Sequence, residues 1–187
     1  MPSTSYDQTN PSWCIEAIPR QQKKWFSFLS LRFGTVLCTM TAVICFSWAM
    51  VQHDEGIVST DGLGSAWSSI NIGTSAYGFI WSTAYLIVIF CNCIVPPAAS
   101  ITLDCIAFIA QIISVSFDLH ELAYWNGGGY GLSRTTDDDV LYGVECFGCS
   151  VMLFGVLFYL VLVVWASRAC HVERKAGRRD FKPSFDA

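Results

Sequence analysis

Charge is scarce in this sequence. Asp, Glu, Lys and Arg make up 14% of its 187 residues, where soluble domains average about 25%. The chain is also 53% hydrophobic, and its mean hydropathy is +0.44. A soluble protein of this composition would expose large apolar patches, which soluble monomers avoid. A glycosylation acceptor is lacking too: the Asn-x-Ser at Asn10-Pro11-Ser12 carries Pro in the middle, which blocks the reaction. No myristoylation or C-terminal prenylation motif is present. A cleaved signal peptide is not expected either. The first apolar run is too long, starts well inside the chain and is followed by no small-residue cleavage pattern.

What the sequence does have is long apolar runs. A membrane-spanning helix needs roughly 20 mostly apolar residues. Four stretches qualify, at about 26–51, 70–95, 97–125 and 142–169. The expected fold is all-α, a four-helix transmembrane bundle running up-down-up-down.

Lys and Arg sit almost entirely at the two ends of the chain. Arg20, Lys23, Lys24 and Arg32 flank the first run; Arg168, Arg174, Lys175, Arg178, Arg179 and Lys182 flank the last. The remaining one of the eleven, Arg134, lies between the third and fourth runs. The connection between runs one and two carries Asp54, Glu55 and Asp61 and no base; that between three and four carries Asp137, Asp138 and Asp139. Basic flanks mark the cytosolic side. Both termini are therefore expected in the cytosol, with the longer loops outside and Val95-Pro96-Pro97-Ala98 as a tight inner turn. Two basic ends on one side require an even number of spans, and four satisfies it. The membrane is expected to be the plasma membrane or an endomembrane.

Residues 1–24 are rich in Ser, Thr, Pro, Asn and Gln and read as a disordered cytosolic tail. Residues 170–187 read as a basic tail. Its cluster of Arg174, Lys175, Arg178, Arg179 and Lys182 acts as a stop signal or attracts anionic lipid headgroups, and Phe181 and Phe185 suit the interface. A nucleic-acid role does not fit a tail held so close to a bilayer.

Small residues recur at helical spacing. Thr35, Cys38, Ala42, Cys45 and Ala49 share a face of span one. Ser75, Gly78 and Ser82 do so in span two, and Gly148 and Gly155 in span four. Such faces let helices approach closely in lipid, so they read as bundle contacts. The run Gly127-Gly128-Gly129-Tyr130-Gly131 has no strand before it and reads as a flexible loop, not a phosphate cradle.

Span three is the most informative. Asp104, Gln111 and Asp118 recur every seven residues, which keeps them on one helix face within about 20° per step. Gln111 falls near the middle, and each Asp lies roughly 10 Å from its own end at 1.5 Å per residue. Ionisable groups at this depth are costly and face the bundle interior. In the structural reading the stripe bonds across to other spans: Asp104 to Arg32 or Arg168, and Asp118 to Asn71 or Ser75 unless it keeps its proton. In the functional reading the stripe is a proton or cation path. Spans one, two and four offer mostly Ser, Thr and Cys and no matching charge at midplane depth, which favours the structural reading. Asp118, His120 and Glu121, with His53 or Glu145, include zinc-ligand types. His120 points away from the Asp118 and Glu121 face, so no metal is expected, nor any cofactor.

Nine cysteines are scattered along the chain. Those within the spans behave as small apolar residues. Cys91, Cys93, Cys105 and Cys170 lie towards the inner interface, where palmitoylation occurs. Cys146 and Cys149 form Cys-Phe-Gly-Cys at the outer start of span four, a redox or disulfide pair by spacing. The placement resembles that of four-helix oxidoreductases of the vitamin K epoxide reductase type. That family also uses a second cysteine pair in its first outer loop, and residues 52–69 here contain no Cys.

The layout resembles that of the MARVEL-domain membrane proteins, in particular small fungal four-span members. The resemblance covers about residues 25–170. Ile101-Thr102-Leu103-Asp104-Cys105-Ile106-Ala107-Phe108 is similar to the apolar–Asp–apolar opening of their third span. It implies a non-enzymatic role in lipid-domain organisation, membrane apposition or trafficking. The partners it implies are membrane lipids and other membrane proteins or further copies of the chain. It carries over no catalytic residues. The two other classes of function are a small transporter using the span-three stripe and a thiol oxidoreductase using Cys146 and Cys149.

Overall fold

A computed structural model describes residues 12–57, 63–64, 66–91, 97–126 and 135–180. Side chains are described from Phe26 to His171 within them, apart from Ala66, Pro97 and Ala169. Four helices account for nearly all of it: α1 (Ser12–Asp54), α2 (Ala66–Phe90), α3 (Pro97–Asn126) and α4 (Thr136–Asp180). Each contains a stretch long and apolar enough to cross a bilayer: Phe26–Asp54, Trp67–Phe90, Ala98–Asn126 and Thr136–Arg168. The protein is a multi-pass membrane protein built as an all-α four-helix bundle.

Helix ends differ from the apolar runs for local reasons. α1 continues past Val51 to Asp54 because its stop signal is Gly56, at φ 68°. The Gly56 amide donates to the His53 carbonyl at 3.0 Å and the Ile57 amide to that of Gln52 at 3.3 Å. These two bonds are the Schellman closure, which needs a left-handed residue at that place. α4 starts at Thr136, six residues before the apolar run, because Thr135 caps it. The Asp138 amide donates to the Thr135 hydroxyl oxygen at 3.3 Å, and Asp138 Oδ2 accepts from the Thr135 amide at 2.9 Å. This reciprocal pair is a capping box. The three aspartates read as loop therefore form the first helical turn, where the helix dipole favours negative charge. α3 opens on Pro97, whose missing amide hydrogen costs nothing at the first helical position.

At the other extremes the helices run beyond the bilayer. α1 begins at Ser12, so residues 12–24, read from composition as tail, carry helical backbone. Ala17, Gln21, Gln22, Lys23 and Lys24 are good helix formers, and extending an existing helix adds one bond per residue. The backbone of α4 is likewise helical through residues 170–180. Residues 1–11 and 181–187 lie outside the described part.

Each helix packs against its sequence neighbours, and α4 closes the ring against α1. We call the end bearing the chain termini the terminal end and the opposite one the loop end. The α1–α4 seam is small on small. A Cβ on Gly155 would stand 3.5 Å from Cys38 Cβ, and one on Gly148 would stand 3.4 Å from Cys45 Cβ. The two contacts step seven residues in opposite directions, which sets an antiparallel register. An apolar core of Ala42, Phe46, Ala49, Leu63, Val115, Leu122, Trp125, Leu141 and Met152 fills the loop-end half. Trp125 stacks on Tyr142 with ring centroids 5.0 Å apart.

Candidate functional site: a polar column inside the bundle

The interior of the bundle is polar along much of its length. Arg32, Thr35, Asn71, Ser75, Ser82, Asp104, Gln111, Asp118, Glu145 and others are buried. The outward faces carry Phe33, Leu37, Ile44, Ile80, Ile87, Ile109, Phe154 and Leu157 instead. A lipid surface rewards this inversion, because polar groups left in hydrocarbon lack partners.

At the terminal end, Arg32 of α1 reaches across the ring to Asp104 of α3. Its two terminal nitrogens meet the two carboxylate oxygens separately, Nη1 to Oδ1 at 2.6 Å and Nη2 to Oδ2 at 2.5 Å. This is the bidentate fork that arginine geometry allows. Trp81 Nε1 donates to Asp104 Oδ1 at 2.8 Å, and the Ser100 hydroxyl, one turn earlier on α3, to Oδ2 at 3.4 Å. The guanidinium carbon lies 4.2 Å from the Tyr85 ring centroid, a cation–π distance. Arg32 and Asp104 are both fully buried. Arg168 is exposed and makes no bond to Asp104, so of the two candidate partners only Arg32 serves.

The next layer inward is a hydroxyl relay. The Thr35 hydroxyl lies 2.7 Å from the Arg32 carbonyl oxygen and 3.1 Å from Ser82 Oγ. Ser82 pairs with the Tyr159 hydroxyl at 2.7 Å, which donates to the Gly78 carbonyl at 2.9 Å. The relay ties α1, α2 and α4 together.

At the loop end, Asp118 Oδ2 accepts from Asn71 Nδ2 at 2.9 Å and from the Cys149 thiol at 3.0 Å. Ser75, the other sequence candidate, makes no bond. Glu145, one turn before Cys149, is buried beside it. Its Oε1 accepts from the Ser68 hydroxyl at 2.5 Å and from the Gly64 amide at 2.8 Å. Gly64 has φ 71°, and a Cβ there would stand 2.7 Å from the Ala49 carbonyl oxygen. The site therefore needs glycine twice over, for its backbone angle and for space.

Span three is thus not alone in carrying buried acid, since Glu145 of α4 is buried as well. Glu145 was legible as one acidic residue in an apolar run, four before Cys149. Trp81, Tyr85, Ser68 and Gly64 carried no such signal, because only the packing brings them to a charge.

The other expected elements fall elsewhere. Cys146 and Cys149 both stand as free thiols, and the Cys149 thiol is buried and turned to Asp118. His120 lines an outward groove on α3 with Ile112, Ile113, Ser116 and Phe117, away from Asp118. Among the described residues no group of three His, Cys, Asp or Glu side chains is placed to hold a metal ion. Arg174, Lys175, Arg178 and Arg179 lie on the α4 backbone, but their side chains are outside the described part. Lys182, Phe181, Phe185 and Arg134 are outside it altogether.

Chemically, the column binds itself. Its charges are matched or hydrogen-bonded across helices, which locks register. No family model, curated protein or solved structure matches the chain.

Proposed function

We propose that this protein is a non-enzymatic membrane organiser, a four-span scaffold of the MARVEL type that acts through its lipid-facing surface. One observation carries the reading: buried polar side chains from all four helices bond to one another in clusters towards both ends of the bundle, while the outward faces carry large apolar side chains. A bundle whose buried charges are spent on internal register offers lipids and other membrane proteins its apolar surface. In this reading both termini lie in the cytosol, and the basic ends of α1 and α4 hold anionic headgroups of the plasma membrane or an endomembrane. Partner membrane proteins or further copies of the chain dock sideways in the bilayer. The thiol-oxidoreductase alternative is disfavoured because Cys149 is buried with its thiol hydrogen directed at Asp118.

A proton or cation path is the competing reading. It is favoured by one feature: buried polar groups come from every helix, not from α3 alone. Reconstitution separates the two. Liposomes containing the purified protein are loaded with a pH-sensitive dye and given a proton or potassium gradient. The organiser reading expects leak no greater than that of empty liposomes. Protein-dependent flux abolished by Asp118→Asn overturns it. Extraction in native lipid, followed by identification of the co-purifying lipids and proteins, then tests the positive claim. A recurrent partner or an enriched anionic lipid is expected.

A further inference from the structure

Between the hydroxyl relay and the Asp118 cluster lies a stretch where polar atoms find no protein partner. Gln111 sits at the middle of α3, in a notch made by two glycines. A Cβ on Gly78 of α2 would stand 2.6 Å from its Nε2, and one on Gly155 of α4 would stand 3.5 Å from its Oε1. Gln111 is 1% exposed, yet neither Nε2 nor Oε1 has a hydrogen-bond partner. Ser75 Oγ and Asn71 Oδ1 are also buried and unpartnered, and both residues are 0% exposed.

These atoms fall in one column. α2 and α3 run antiparallel, with Gly78 level with Gln111 and Asn71 bonded to Asp118. Each step spans seven residues, roughly 10 Å of helix. Ser75 lies on the same α2 face between the two levels. The Thr74–Ser114 contact at 3.0 Å closes the α2–α3 seam beside it. Four unmet polar atoms are therefore stacked along about 10 Å of core, at a seam that packs less extensively than the other three.

Buried amides and hydroxyls in native proteins are almost always hydrogen-bonded, to protein or to ordered water. Water takes such places when it meets two to four polar partners. The chemistry of this column selects it. Gln111 Nε2 is a donor and repels a cation. Gln111 Oε1, Asn71 Oδ1 and the Asp118 carboxylate are acceptors and repel an anion. Ser75 serves as either.

We propose that the loop-end half of the bundle core is an internal water-binding site. In it, ordered waters bridge Gln111 to Ser75 and Ser75 to the Asn71–Asp118 pair. On the terminal side the next layer is the relay, in which Tyr159, Ser82 and Thr35 bond to one another; Tyr77 Oη, Thr83 Oγ1 and Arg32 Nε are also buried without partners and lie outside the proposed site. The inference is independent of the organiser reading: a hydrated core fits either a scaffold or a path.

The test reads water directly. The full chain is reconstituted in liposomes with uniformly 13C,15N-labelled Gln and 13C′-labelled Ala and Val. Ala110–Gln111 and Val51–Gln52 are the one Ala-Gln and the one Val-Gln step in the sequence, so both backbone nitrogens are identified without a mutation and each side-chain amide is traced from its own backbone through the labelled Gln carbons. Water-edited solid-state NMR then follows polarisation transfer from water to the Gln111 side-chain amide. The expected result is transfer at a rate within about threefold of that for Gln52 at the loop end, and at least twofold slower transfer in Ser75→Ala. A Gln111 amide that stays dark when Gln52 has reached full intensity overturns the proposal. So does transfer unchanged by Ser75→Ala, since water would then reach Gln111 without the bridge. Should Ser75→Ala fail to fold, Ser75→Cys keeps the volume, weakens the hydrogen bonding and carries the same expectation.

Discussion

Replacing Arg32 by Met keeps the length and most of the volume of the side chain but removes the guanidinium. Asp104 then keeps two neutral donors, the Trp81 indole at 2.8 Å and the Ser100 hydroxyl at 3.4 Å, and loses both charge-assisted bonds. Breaking a buried ion pair from one side costs about 3–5 kcal/mol, because a desolvated charge is left behind. Asp104 lies about 10 Å from the end of α3, short of the bilayer centre, so the low end of that range is expected, about 3 kcal/mol, more than a hundredfold in the folding equilibrium at about 1.4 kcal/mol per tenfold. Removing both partners, as in Arg32→Met with Asp104→Leu, is expected to be near neutral or stabilising. Arg32→Lys should recover only part of the loss, because an ammonium cannot meet both oxygens in a planar fork or stack on Tyr85. The charge swap Arg32→Asp with Asp104→Arg should fail, since the Trp81 and Ser100 donors face position 104 and would meet a cation. Equilibrium unfolding in mixed detergent micelles, read by tryptophan fluorescence, measures all four. The reasoning is refuted if Arg32→Met is no less stable than the double variant, for Asp104 would then not need its partner.

Other consequences follow from the loop end. Gly64→Ala forces a left-handed backbone on a residue with a Cβ and drives that atom into the Ala49 carbonyl. It should cost about 1–3 kcal/mol from the backbone alone, measured by the same unfolding assay. Cys149→Ser should be near neutral, whereas Cys149→Ala removes one of two donors to Asp118. That loss should be about 0.6 kcal/mol, the average for a hydrogen bond between membrane helices. Thr135→Ala removes the cap of α4 and should cost about 1 kcal/mol, with faster amide exchange over residues 136–139. In the folded protein a membrane-permeant maleimide should label Cys146 before Cys149, and both should be labelled once it is unfolded. Resistance of both thiols after unfolding, reversed by reductant, would instead reveal a disulfide.

Much of the architecture was already settled by one-dimensional information. Four apolar runs in a low-charge chain leave a bundle of spanning helices as the solution, because backbone polar groups in lipid must be satisfied within the segment. The seven-residue spacing of Asp104, Gln111 and Asp118 put them on one inward face for the same reason. Local signals at the ends, Gly56 after α1 and Thr135 with Asp138 before α4, were also present. They yielded to the stronger hydropathy signal, which ends where polarity begins although the helix does not.

Partner choice belongs to the tertiary structure. Arg32 and Arg168 are equivalent in sequence as counter-charges to Asp104, yet only Arg32 lies where α1 faces α3 across the ring. Glu145 is distant in the chain from Ser68 and Gly64, and meets them because α4 packs beside the start of α2 and the turn before it. Gln111 is left without a partner because glycines on two other helices surround it. Periodicity determines which face a residue occupies. Which residue on another helix stands opposite depends on the rotation and register of four helices together, which no single span encodes.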